Sequence, residues 1–160
     1  MLGISRHTDY AARIVLHLSA ERRAAHFTTG DIAKKRLIPP AFIRRIVSKL
    51  SAAGILKTTR GCGGGIELAR PSSKISLLDV VEAMEGRLVL NSCTVKPERC
   101  TLSARCGIRR AWSDTTKSLE SFLASVTFDS LAKVGGGKSG RREASATKIG
   151  RRKRTSRKEA

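Results

Sequence analysis

No stretch of this 160-residue chain approaches the roughly 20 consecutive apolar positions that a membrane-spanning helix needs. The opening MLGISRHTDYAARIVLHLSAERR is broken by charges where a secretion signal would be apolar. Acidic residues are scarce too. Thirteen Asp and Glu face 32 Lys and Arg, a net charge of +19 that repels itself in a compact state unless a polyanion takes up the field. Together these shortages predict a cytosolic protein with no membrane association and nucleic acid as its first partner. Catalytic patterns are missing as well: His7, His17 and His26 cluster near the N-terminus without a nucleophile beside them, so no enzyme is expected. The glycine-rich GCGGG at 61–65 lacks the Lys-Ser/Thr of a phosphate loop and leads into a strand pattern. The later Gly-Lys-Ser at 137–139 has Ala132 where such a loop needs glycine.

The positive charge is uneven. Residues 133–160 hold 11 Lys and Arg against 2 acids, with Val134 and Ile149 as the only large apolar residues. That composition cannot offset the entropy of ordering, so a disordered basic tail is expected there, its natural role being salt-dependent contact with phosphates. Hydrophobic residues make up 40% of the chain, enough for one modest core in the remainder.

Ala11, Ile14, Val15 and Leu18 repeat at helical spacing, with Thr8 as the expected cap. Thr28 and Thr29 offer caps for a short second helix, TGDIAKKR, which must stop before Pro39. Pro40 suits the first turn of a third helix, whose apolar stripe is Ile43, Ile46, Val47 and Leu50 and whose other side carries Arg44, Arg45 and Lys49. After Ala53-Gly54, ILKTTR and GIELAR read as two strands around a glycine-rich tip. Two short helices and a glycine-tipped hairpin make a winged helix-turn-helix. The second helix enters the major groove, and the wing brings Arg60 and Gly63 to the phosphates or the minor groove. Ser76 with Asp79 forms a capping box before a fourth helix, LLDVVEAME. The expected fold class is therefore mostly α with a small β-hairpin wing and a long C-terminal helix. Ile108, Trp112, Thr115, Leu119, Phe122 and Val126 fall at alternating spacings of four and three on that last helix, a seam suited to a symmetric homodimer. The organisation expected is 1–72 for DNA binding, 73–132 for the fourth helix, cysteine loop and dimerisation helix, and 133–160 for the tail.

Cys93, Cys100 and Cys106 lie close together in sequence, with Lys96, Arg99 and Arg105 beside them. In a reducing compartment such thiols favour metal over disulfide, and three of them leave one without a local partner. Zinc prefers four ligands in short pairs, whereas the irregular C-x6-C-x5-C spacing better suits a larger iron-sulfur core; inert cysteines are the third reading.

The order of HTDYAAR, AAGILKTTRGCGGGIELARP, ISLLDVVEAMEG, the three cysteines and FLASVTFDSL resembles the Rrf2 (BadM-type) winged-helix transcription regulators of bacteria. The resemblance covers residues 1 to about 132. It implies a homodimer on a partly palindromic double-stranded operator, acting chiefly as a repressor. It also implies a 2Fe-2S or 4Fe-4S cluster held by Cys93, Cys100 and Cys106 that responds to redox state, nitric oxide or iron supply. IscR-like members have a histidine three positions after the third cysteine; Arg109 stands there and cannot serve. NsrR-like members use an acidic residue near the partner subunit's N-terminus, which makes Asp9 the candidate fourth ligand, with His7 behind it. A cluster-free or zinc-holding DNA-binding protein is the alternative. Thr28, Pro40, Arg44, Arg45, Lys49, Arg60 and Gly63 complete the expected DNA-contacting set. Arg44 and Arg45 replace the Glu and Gln of IscR-like members, so the operator is expected to differ and to contain guanines. Cys62, where the family's wing usually has another residue, reads as a tolerated loop position.

Overall fold

The computed structural model describes residues 3–21, 27–59, 61 and 64–135. Arg60, Cys62, Gly63, His26 and the tail beyond Gly135 lie outside the described residues.

Helix α1 spans Arg6–Ala20, and its cap is Ser5, whose hydroxyl accepts from the Thr8 amide at 3.4 Å. Thr8 is not the cap expected from the sequence. It is buried within the first turn, where its hydroxyl donates to the Glu85 carboxylate. Those two hydroxyls and the Ser5 amide, which donates at 3.1 Å, hold Glu85 below the ordinary carboxylate range. Ala11, Ile14, Val15 and Leu18 are buried, as their spacing requires.

Helix α2, Thr29–Arg36, begins at the Thr28–Asp31 capping box. It ends on Leu37, whose φ of 54° makes it the only non-glycine residue with positive φ among those described. The Ile38 amide reaches back to the Ala33 carbonyl at 2.9 Å, which closes the helix end and buries Ile38. Helix α3, Pro40–Ala52, starts on proline at no hydrogen-bond cost and buries Ile43, Ile46, Val47 and Leu50. Gly54, at φ 67°, lets the chain turn out of α3 so that the Ile55 amide bonds to Leu50 at 2.9 Å. Strands β1, Leu56–Thr58, and β2, Ile66–Leu68, pair antiparallel with Leu56 opposite Leu68, and Phe27 bridges to Ile66. The regular pairing is three residues long in each strand, shorter than the six-residue patterns in the sequence.

Helix α4, Leu77–Glu85, starts at the Ser76–Asp79 capping box, and Arg70 adds an ion pair to Asp79 at 2.9 Å. The expected single last helix is two. Helix α5 spans Gly107–Ser125 and α6 spans Phe128–Gly135. Between them Thr127 bridges to Ser76, the Leu77 amide bonds to the Val126 carbonyl at 2.8 Å, and the Phe128 amide bonds to Ile75 at 2.9 Å. These long-range bonds draw the backbone out of helical geometry, so Val126 falls just past α5 and not within it. Helix α6 then turns back onto α1 with Phe128 1% exposed, and the helical chain continues to Gly135, beyond the boundary at 132. The core is built around α1 from α2, α3, α4, the hairpin and α6, while α5 buries only Leu123.

Candidate nucleic-acid interface and cysteine loop

Packing of α3 through its apolar stripe turns Arg44 and Arg45 outward. Both are exposed, and no carboxylate among the described residues lies within ion-pair distance of either. Thr28 and Pro40 are exposed at the starts of α2 and α3. Lys49 is exposed too, but its Nζ donates to the Met84 carbonyl at 2.9 Å and so links α3 to the end of α4. One residue of this face was missed by sequence reasoning. Phe42 sits in the first turn of α3, 39% exposed, with its ring edge-on to His7 at 4.9 Å and near Tyr10 at 6.3 Å. Its position just outside the apolar stripe was the available signal. The wing residues Arg60 and Gly63 lie outside the described residues.

His17 belongs to the interior. It is 3% exposed, packs on Phe27, and its Nδ1 accepts from an Arg36 terminal nitrogen at 3.1 Å. Burial first, then the charges of Arg36 and Lys35, keeps its imidazole below the ordinary titration range. A neutral, packed imidazole of this kind supports structure and not proton transfer.

The cysteine loop runs from the end of α4 to α5 through three short 3₁₀ turns, Ser92–Thr94, Pro97–Arg99 and Ser103–Arg105. Asn91 caps the first by accepting from the Cys93 amide at 3.2 Å. Cys106 caps α5, its Sγ accepting from the Arg109 amide at 3.4 Å. Arg109, three positions after Cys106, ties the loop together by donating to the carbonyls of Cys93 and Ser103, each at 3.2 Å. All three cysteines are free and half-buried. Soft, accessible thiols on one short loop are a donor set that fits iron, although among the described residues no three Cys, His, Asp or Glu side chains converge as a formed metal site. Asp9 is not brought to the loop within one chain: it is exposed on α1 and paired with Arg13 at 2.7 Å. His7 faces Phe42 on α3.

The apolar residues of α5 are left uncovered. Ile108 is 70% exposed, Phe122 65%, and Trp112 and Leu119 36% each, while Thr115 is exposed beside them. No helix among the described residues is long and apolar enough to cross a membrane.

Residues 4–134 match the family model Rrf2, described as an iron-dependent transcriptional regulator. Protein aau3 of Rhizobium meliloti is 30% identical over 134 residues, covering 83% of this chain and 86% of that protein. The HTH-type transcriptional regulator NsrR of Oceanobacillus iheyensis is 26% identical over 133 residues, covering 82% and 90%. Among solved structures, CymR, the global cysteine regulator of B. subtilis, superposes with a TM-score of 0.67 at 24% identity, covering 84% of this chain and 98% of that one. IscR of T. potens superposes with a TM-score of 0.69 at 21% identity, covering 89% and 94%.

Proposed function

The chain belongs to the Rrf2 family of DNA-binding transcriptional regulators, which are not enzymes, and from that premise we propose that it is a cytoplasmic, homodimeric repressor whose cysteine loop holds an iron-sulfur cluster. The observation that carries this reading is the set of three free, half-buried thiols on a loop that leads straight into α5. The family model's iron dependence supports it. When bound, the cluster supplies a centre that nitric oxide, oxygen or iron shortage can alter. Cys93, Cys100 and Cys106 are its proposed ligands, and Asp9 of a second copy is the candidate fourth.

The chain's own residues give the signal a route. Arg109 couples the first and last parts of the loop, α4 packs between α5 and α3, and Lys49 joins α3 to the last turn of α4. Two reading helices in one dimer must match a fixed half-site spacing, so a small tilt of α4 costs contacts at both. Ile108, Trp112, Leu119 and Phe122 are the proposed dimer seam, since an exposed apolar stripe of this length needs cover. Arg44 and Arg45 read the major groove, with Thr28 and Pro40 near the backbone.

The test is air-free purification with iron and acid-labile sulfide assays, followed by operator titration with loaded and stripped protein. The reading expects coloured protein and unequal affinities; colourless protein after reconstitution, or equal affinities, removes cluster sensing. A second reading, a cluster-free or zinc-holding regulator, draws on Arg109, which cannot serve as a ligand and instead donates to the carbonyls of Cys93 and Ser103.

A further inference from the structure

The first turn of α3 differs in chemistry from the turns behind it. Pro39, Pro40, Ala41 and Phe42 are all exposed, and none has a polar side chain. The two prolines have no backbone N–H, and the Phe42 amide is taken up by the Pro39 carbonyl at 3.0 Å. Polar side chains begin only at Arg44 and Arg45, which have no ion-pair partner among the described residues. The N-terminal end of such a helix is the part that meets base edges in a major groove, and here it is poor in donors and acceptors.

Phe42 is the large side chain of that turn, and it is held in place. His7 meets its ring edge-on at 4.9 Å, Tyr10 lies 6.3 Å away, and the Arg13 guanidinium sits over the Tyr10 ring at 5.8 Å. These supports stand on α1, around which the core is built. A ring fixed beforehand loses little freedom on binding, yet 39% of Phe42 remains exposed. With no donor or acceptor it cannot hold a phosphate or hydrogen-bond a base, so apolar contact is what it offers. Among the four bases, thymine alone presents a methyl group in the major groove.

We propose that Phe42 is a specificity-determining residue of the DNA interface, its ring packing against the 5-methyl group of a thymine in the operator half-site. The proposal rests on the reading of α3 as the major-groove helix. Arg45 follows Phe42 by three positions on the same side of α3. The thymine should therefore lie within about two base pairs of the base that Arg45 meets, since a helical turn rises about 5.4 Å and a base step about 3.4 Å.

The probe is a duplex selected by the full chain from a random-sequence library, each thymine in turn replaced by deoxyuridine, which keeps base pairing and removes only the methyl. Fluorescence anisotropy at fixed salt should find a thymine in each half-site where this replacement weakens binding about fourfold, the worth of one buried methyl. Phe42→Ala should bind the two duplexes equally. Phe42→Leu, which keeps an apolar side chain against α1, should retain part of the difference; both variants are checked by circular dichroism and sedimentation velocity. A penalty that persists in Phe42→Ala, or a specifically bound duplex with no penalised thymine, would overturn the proposal while leaving α3 as the reading helix. A Phe42→Ala monomer with the penalty unchanged would also overturn it, giving the ring to the contact between copies. Selection of no preferred sequence would instead remove the reading of α3 itself, and this inference with it.

Discussion

Arg109 reaches back across the loop to Cys93, its Nε donating to that residue's carbonyl at 3.2 Å, so the side chain three positions after Cys106 braces the first cysteine from the start of α5. A second bond from the same guanidinium, to Ser103, makes it a two-point brace. Bonds from a charged donor contribute about 1.5 to 3 kcal/mol when buried and less when half-exposed. Arg109→Ala should lower stability in urea by about 1 to 2 kcal/mol. Arg109→Lys should recover only part, because one ammonium cannot span the planar fork's two acceptors; full recovery by lysine would show that charge alone matters.

Asp79 gives stability a pH dependence of known sign. Burial pushes its carboxyl up, but bonds from the Ser76 amide and hydroxyl and from Arg70 outweigh this and hold it below the ordinary carboxylate range. A depressed folded pKa means that its stabilisation is fully present above the unfolded value and is lost as pH falls through the folded one. Asp79→Asn should cost about 1 kcal/mol at pH 7. The gap between the variant and the parent should shrink below pH 4 or so in acid unfolding curves.

Leu37 holds a left-handed conformation while 82% exposed. That backbone costs a β-carbon-bearing residue about 1 kcal/mol, and so exposed a side chain loses little by removal. Leu37→Gly should therefore raise the midpoint of thermal unfolding by a few degrees. A lowered midpoint would mean that the extra unfolded-state entropy of glycine outweighs the relieved strain.

Phe122, 65% exposed on the α5 seam, is the cleanest probe of self-association. Phe122→Glu should give a monomer in sedimentation velocity with unchanged helix content. A dimer that survives this change would move the interface elsewhere.

Arg44 has no protein partner among the described residues to compensate for its loss. Arg44→Ala should relax guanine preference at one operator position by about 1 to 3 kcal/mol while leaving the salt slope nearly unchanged. A uniform loss across sequences would instead make it a phosphate contact.

The elements legible in the sequence are those with local causes. Thr28, Pro40, Gly54 and the Ser76–Asp79 box each act within a few residues, and α2, α3 and α4 begin or end where those residues say. The start of α1 was misjudged because Ser5 and Thr8 are both capping types three residues apart; Glu85, 77 positions beyond Thr8, draws it inward. The break between α5 and α6 was hidden for the same reason. The four-three pattern runs on to Val126, and only the distant strand-like pairing of Thr127 with Ser76 interrupts the helix. In the cysteine loop the spacing identified the donors but not the brace, since an arginine bonding to carbonyls leaves no periodic signature. Phe42 went unnoticed because a lone aromatic beside an apolar stripe reads as part of the core.

The return of α6 onto α1 decides where the basic C-terminal segment is tethered. Gly135 ends a helix that shares α1 with α3, and not the far end of α5, so the sequence after it starts from the body that carries Arg44 and Arg45. Any phosphate contact made by those later cations would then be intramolecular with that of α3, at an effective concentration set by where the segment begins.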